Sequence, residues 1–178
     1  MVLVVVDAQT DFITGVLGSD VAEVVKEDIQ KVIHKAISNG EGVLFTMDVH
    51  DEEKYEGSGV EGTRIPFHCP IGKAGSFVDP DLTYMTARAN VKFLEKSTFM
   101  PIKGLKAAID KLSAIKGENI RICGYVTDIC VVSTALYLRS LYPKRLIGVY
   151  SKACAGTSID NHMAALKVMK SCLIEVIE

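Results

Sequence analysis

The chain has 178 residues, 48% of them hydrophobic, with 20 basic and 22 acidic side chains and a net charge of −2. A chain of this length can bury about two-thirds or more of its unfolded surface, so a single domain over residues 1–178 is expected. The near balance of charge, with no basic stripe or charge run, argues against nucleic acid and membranes as partners and leaves small molecules.

In chain order, Val2 to Val6 is an unbroken run of β-branched residues and Leu that stops at Asp7. Val21 to Ser38 carries apolar residues at helical spacing, and Gly42 to Met47 returns to strand. A long segment follows from Val49 to Asn90, rich in Gly, Pro, His and charge. Beyond it the pattern predicts a strand at Val91 to Leu94, a helix at Ile102 to Ile115 and a strand at Ile120 to Val126. A helix at Asp128 to Leu141, a strand at Arg145 to Val149, a helix at Ser158 to Lys170 and a closing strand at Leu173 to Ile177 complete the chain. Strands apolar on both faces and joined by helices indicate a mostly parallel sheet covered on both sides, an α/β fold. No apolar run approaches the roughly 20 residues of a membrane span, and MVLVVVDAQ has no basic leader region, so a soluble, cytoplasmic protein is expected.

Ligands of such folds bind outside the carboxyl ends of the strands. Asp7, Asp48, Lys96 and Cys130 all fall at or just after predicted strand ends, which would gather them along one edge. The cysteines, at 69, 123, 130, 154 and 172, are odd in number and form no CxxC pair, so reduced thiols are expected. Most buried thiols only pack. Cys123 and Cys172 carry nothing further, and Cys154, expected just past a strand end, has no helix start beside it. Cys130 differs, because it would sit in the first turn of a helix, where unpaired N–H groups and the macrodipole favour a thiolate. With Asp7 and Lys96 beside it, an acid, a base and a nucleophile would converge.

The stretches VVVDAQTDF (Val4 to Phe12), MDVH (Met47 to His50), HCPIGKAG (His68 to Gly75), EKSTF (Glu95 to Phe99) and GYVTDICVVSTA (Gly124 to Ala135) occur in order. Together they resemble the successive motifs of the isochorismatase-like cysteine hydrolases, specifically the nicotinamidase (pyrazinamidase) branch. The resemblance implies a three-layer, Rossmann-like fold with a six-stranded sheet and a catalytic triad of Asp7, Lys96 and Cys130. Asp7 would move protons, Lys96 would stabilise the thiolate and Cys130 would attack the amide carbon. It also implies a cis peptide before the cysteine's turn, by position Val126–Thr127, and an oxyanion hole from the amides of Thr127 and Cys130.

Asp48 and His50 alternate along an extended segment and so point the same way, and His68 comes from the long loop. One carboxylate and two imidazoles suit a divalent ion with open positions, zinc foremost, with iron and manganese also accommodated. By resemblance this set separates nicotinamidases from other branches, and Glu61 stands where some of them add an acidic ligand. The same resemblance makes Phe12 the packing surface for a flat ring, with Leu17, Phe99 and Tyr125 as further supports. One departure stands out: where the family commonly has Asp-Trp-His, this chain has Asp48-Val49-His50, and it contains no Trp. The expected function is hydrolysis of nicotinamide to nicotinate and ammonia, feeding NAD salvage, through a Cys thioester. Alternatives are another small amide, a ureido compound or a vinyl ether as substrate, or a non-catalytic binding role. A homo-oligomer is compatible with the resemblance.

Overall fold

The computed structural model describes residues 1–55, 59–83, 90–113 and 119–178. Six strands form one parallel sheet in the order β3-β2-β1-β4-β5-β6. β1 (Val2–Val6) leads into a short helix α1 (Thr10–Ile13), and α2 (Asp20–Ser38) crosses to β2 (Gly42–Asp48). The long connection predicted as loop contains α3 (Glu52–Tyr55), α4 (Val60–Arg64), a 3₁₀ turn (Ala74–Ser76) and α5 (Pro80–Thr83) before β3 (Val91–Lys96). Such four- and five-residue helices are too short for a readable 3.6 period. Next come α6 (Leu105–Ser113), β4 (Ile120–Tyr125), a π-helical turn (Thr127–Val131) continuing into α7 (Val132–Leu141), β5 (Ile147–Ala155), α8 (Ile159–Ser171) and β6 (Glu175–Ile177). The predicted end of the 102–115 helix lies outside the described residues. Among the described residues no helix is long and apolar enough to cross a membrane.

The hydrophobic patterning explains the layers. Every residue of β1 is fully buried, and because successive side chains point to opposite faces, the central strand must be covered on both sides. α2 turns Ala22, Ile29, Ile33 and Ala36 inward and packs across β1, β2, β4 and β5, while α6 covers β1 to β3 and α7 and α8 lie against β5 and β6. The two long helices that start at serines are capped in the same way. The Ser19 hydroxyl accepts from Ala22 N at 3.2 Å, and Ser158 from Asn161 N at 3.1 Å, each satisfying one orphan donor.

Most strand bounds shift by one or two residues from expectation, and the changes at β4 and β5 alter the reading of particular residues. β5 starts at Ile147 and runs on through Ala155, so Cys154 lies inside the strand, opposite Gly124, and not past its end. The half-buried or exposed Tyr150, Ser151 and Lys152 break the apolar run that marked it, at a register irregularity between Ile122 and Gly124 on β4. β4 in turn stops at Tyr125, and the cis peptide is Tyr125–Val126, one residue before the position expected.

Strand order reverses between β1 and β4, and at that switch point the loops leave in opposite directions and open a crevice. Gly124 makes the close approach there possible. Its φ is +121°, and a Cβ would overlap the carbonyl oxygen of Val6 on the neighbouring strand. We expect Gly124→Ala to cost about 2 kcal/mol or more, through both backbone strain and clash. Urea denaturation with the midpoint compared to the parent chain would measure it.

Candidate active site

Each expected reactive residue reaches the crevice from the carboxyl end of a different strand. Asp7 follows β1 with φ +48°, a left-handed conformation uncommon for a residue with a side chain and often associated with functional strain. Lys96 closes β3, in register with Asp48 at the end of β2. Cys130 sits in the π-helical turn after β4, where Ile129 N and Val131 N both donate to Val126 O at 3.1 Å. A five-residue closure of this kind is rare and is found mostly at functional sites.

The three side chains meet. Lys96 Nζ lies 2.9 Å from Asp7 Oδ2, 3.7 Å from Cys130 Sγ and 3.3 Å from Asp48 Oδ2. All four residues are buried. The Thr46 hydroxyl, on β2, donates to Asp7 Oδ1 at 2.8 Å and fixes that carboxylate's other oxygen. Burial pushes the Asp7 carboxyl up to about 6, against the pull of Lys96 and with a further push from Asp48. That is the range suited to accepting and returning a proton near neutrality. Burial would discharge Lys96, but Asp7, Cys130 and Asp48 together hold its ammonium well above the ordinary range.

The thiol departs from the expectation of easy ionisation. Burial raises it well above the usual value, Asp7 and Asp48 raise it further, and only Lys96 pulls it down. Desolvation and the two carboxylates oppose the pull of the helix start and of Lys96.

A second cluster shares the crevice. One ligand atom each from Asp48, His50, Glu61 and His68 lie within 4.8 Å of one another. His50 Nε2 is 3.2 Å from Asp48 Oδ1 and 3.9 Å from Glu61 Oε1, and His68 Nε2 is 3.3 Å from Asp48 Oδ2. His68 Nδ1 is 2.9 Å from the Pro66 carbonyl, which selects the tautomer that leaves Nε2 with its lone pair facing the cluster. Asp48 Oδ1 and His50 Nε2 are buried without a hydrogen-bond partner. Orphaned acceptors converging from a carboxylate and an imidazole, beside a second imidazole, suit a metal ion, so the residues present fit one. Burial works against ionising Asp48, but the two adjoining imidazoles and the charge of Lys96 hold it well below the usual carboxylate range.

Both clusters open on one cavity of about 340 Å³, walled by Phe12, Leu17, Phe99, Ile129 and Pro66 and reached by Asp48, Glu61, His68 and Cys130. Phe12 is packed edge-on against the His68 ring at 5.5 Å. Tyr125, by contrast, does not line the cavity. It is fully buried at the end of β4 and its hydroxyl donates to Ala22 O at 2.8 Å, so it anchors α2. Val49 supplies no aromatic wall, and Tyr55 instead packs its ring on His50 at 4.6 Å, beside the cluster. The sequence reading also missed Ile65, Pro66, Gly156 and Thr157, which line the cavity from connections with no periodic signal. Gln9, Asp11 and Thr46 were missed as well, although Gln9 and Asp11 alternate with Asp7 just past the apolar β1 run, and that spacing could have marked them.

Fold and site together define an α/β enzyme of the hydrolase class. A family model, the isochorismatase domain, matches residues 1–178. A pyrazinamidase/nicotinamidase from Streptococcus mutans superposes with a TM-score of 0.86 at 26% identity, covering 99% of both chains. A pyrazinamidase of Pyrococcus horikoshii solved in complex with zinc gives 0.81 at 25% identity, covering 99% of this chain and 98% of the other. A nicotinamidase of Schizosaccharomyces pombe is 43% identical over 75 residues, 42% of this chain but only 31% of the length of that relative. The chain belongs to the isochorismatase family.

Opposite charges around one thiol yield a signed prediction. Lys96→Met should move the pH dependence of Cys130 alkylation by iodoacetamide to higher pH, because the one group lowering the thiol is gone. Asp7→Asn should move it to lower pH. Labelling rates followed by mass spectrometry across pH would read both.

Proposed function

We propose that this hydrolase of amide carbon–nitrogen bonds is a nicotinamidase, converting nicotinamide and water to nicotinate and ammonia. The observation that carries the reading is the placement of Asp48, Glu61 and His68 on the same cavity as Cys130, with the Phe12 ring on its wall. A flat ring with an in-plane nitrogen at one end and a carboxamide at the other fits those two stations.

In this reading the Cys130 thiol gives its proton to Asp7 as sulfur bonds to the carboxamide carbon. The tetrahedral oxyanion is held by the backbone N–H of Cys130 and that of Val126, which follows the cis bond and lines the cavity where the expected Thr127 does not. Asp7 passes the proton to the leaving nitrogen, the carbon–nitrogen bond breaks and ammonia departs, leaving a thioester. Water then attacks the thioester carbon while Asp7 takes its proton; the carbon–sulfur bond breaks, the acid is released and the proton returns to sulfur. Lys96 keeps its charge throughout, balancing the negative charge that passes between Asp7 and the sulfur. Asp48, His50, His68 and Glu61 would hold a divalent ion, zinc first among those the ligand set suits. Such an ion would supply a Lewis-acid anchor for the ring nitrogen.

Ammonia release from nicotinamide by the purified protein tests the reading directly. Cys130→Ala should abolish it with far-ultraviolet circular dichroism unchanged, whereas Cys123→Ala, buried within β4, should retain it. Equal loss in two folded variants would remove Cys130 as the nucleophile.

The ring-nitrogen station has its own test. Protein purified without added metal should contain close to one divalent ion per chain, and His50→Ala or chelation should raise the apparent KM for nicotinamide by about tenfold or more. Benzamide, lacking the ring nitrogen, should be a poor substrate with or without metal. Equal turnover of benzamide and nicotinamide would favour a general amide hydrolase.

A further inference from the structure

The stretch from Asp7 to Asp11 contributes more than one carboxylate. β1 and β2 pair from Val2↔Gly42 to Val6↔Thr46, and one further bond joins Asp7 N to Thr46 O. β2 then runs two residues farther, to Asp48, while its other side stays paired with β3 through Asp48↔Lys96. On the β1 side the backbone groups of Asp48 have lost their strand neighbour. The side-chain amide of Gln9 takes its place: Oε1 accepts from Asp48 N at 2.7 Å, and Nε2 donates to Asp48 O at 2.7 Å and to Ser76 O at 2.8 Å. Gln9 is fully buried and uses one acceptor and both donors. It acts as a substitute peptide unit, holding the main chain of a residue that presents two oxygens to the metal cluster.

Two residues on, Asp11 does the same for the other half. Its Oδ2 accepts from Cys69 N at 2.7 Å, directly after His68. The carboxylate fits only because Gly75 has no side chain, since a Cβ there would overlap it. The loop so held is also joined to His50, with His50 N donating to Cys69 O and Ile71 N to His50 O, each at 3.0 Å.

We propose that Gln9 and Asp11 are positioning residues for the metal cluster. Gln9 sets Asp48, Asp11 sets the His68 loop, and residues 7–11 thereby hold the metal ligands and the reactive carboxylate in one frame. The inference rests on the metal reading above but not on the identity of the substrate.

The test uses the full chain stripped of metal and titrated with cobalt(II), binding being followed by visible absorption. Gln9→Met and Asp11→Ala should weaken cobalt binding about tenfold or more, the scale seen when partners of metal ligands are removed. Asp11→Asn, which keeps an acceptor oxygen for Cys69 N, should stay within about threefold of the parent. Alkylation of Cys130 should be unchanged in both Asp11 variants, which touch neither Asp48 nor Lys96, and retained in Gln9→Met, where Asp7 and Lys96 still flank the thiol; a purely structural role would instead abolish alkylation and cobalt binding together. Unchanged cobalt affinity in Gln9→Met and Asp11→Ala would overturn the proposal. So would Asp11→Asn binding as weakly as Asp11→Ala, or loss of fold by circular dichroism in both Gln9→Met and Asp11→Ala. A parent chain that binds no cobalt would overturn the metal reading itself, a result distinct from parent and variants binding alike.

Discussion

A single buried ammonium holds the two halves of this site together. The Lys96 side chain is 1% exposed, and its Nζ touches Asp7 Oδ2 at 2.9 Å and Asp48 Oδ2 at 3.3 Å, with Cys130 Sγ at 3.7 Å. Taking such a charge out of water is costly, and leaving its partners without it typically costs about 3–5 kcal/mol. The two carboxylates therefore need the lysine as much as it needs them. Because one carboxylate belongs to the thiol's group and the other to the metal-type cluster, charge cannot be altered in one without being felt in the other.

That arrangement is possible only because the strand ends converge at the switch point of the sheet. β1 and β4 are adjacent, so Asp7 and the turn bearing Cys130 emerge side by side, while β2 and β3 deliver Asp48 and Lys96 from the same edge. The backbone adapts at this junction. Asp7 adopts a left-handed conformation, and Gly124 lies against Val6 where no side chain would fit. Local preference yields there to the geometry the site imposes.

Much of the rest was legible in the chain. The six strands, the helices at 20–38, 132–141 and 159–171, and the gathering of Asp7, Lys96, Asp48 and Cys130 at strand ends follow from the period of apolar residues and from where each run breaks into charge. The candidate ligands Asp48, His50 and His68 were visible as residue types whose lone pairs suit a divalent ion. What misled the reading was context. Tyr125 looks like a pocket aromatic and is an anchor for α2. Cys154 looks like a loop thiol and is a strand residue beyond a register irregularity. Cys130, at a helix start, looks acidified, yet burial raises it.

The division follows from the range of the forces involved. Periodicity, caps and strand-end charges are local properties, carried by residues a few positions apart, so the sequence by itself determined the α/β alternation and which polar side chains stand at the strand ends. Desolvation, the match of Gln9 to an unpaired strand end 39 residues away and the walling of the cavity by Pro66 and Ile129 depend on what lies across space. Only the tertiary structure decided the direction of each titration, which aromatic faces the cavity and which polar side chains brace the site. The same carboxylate or thiol changes its chemistry with the charges and the water that folding places around it or removes.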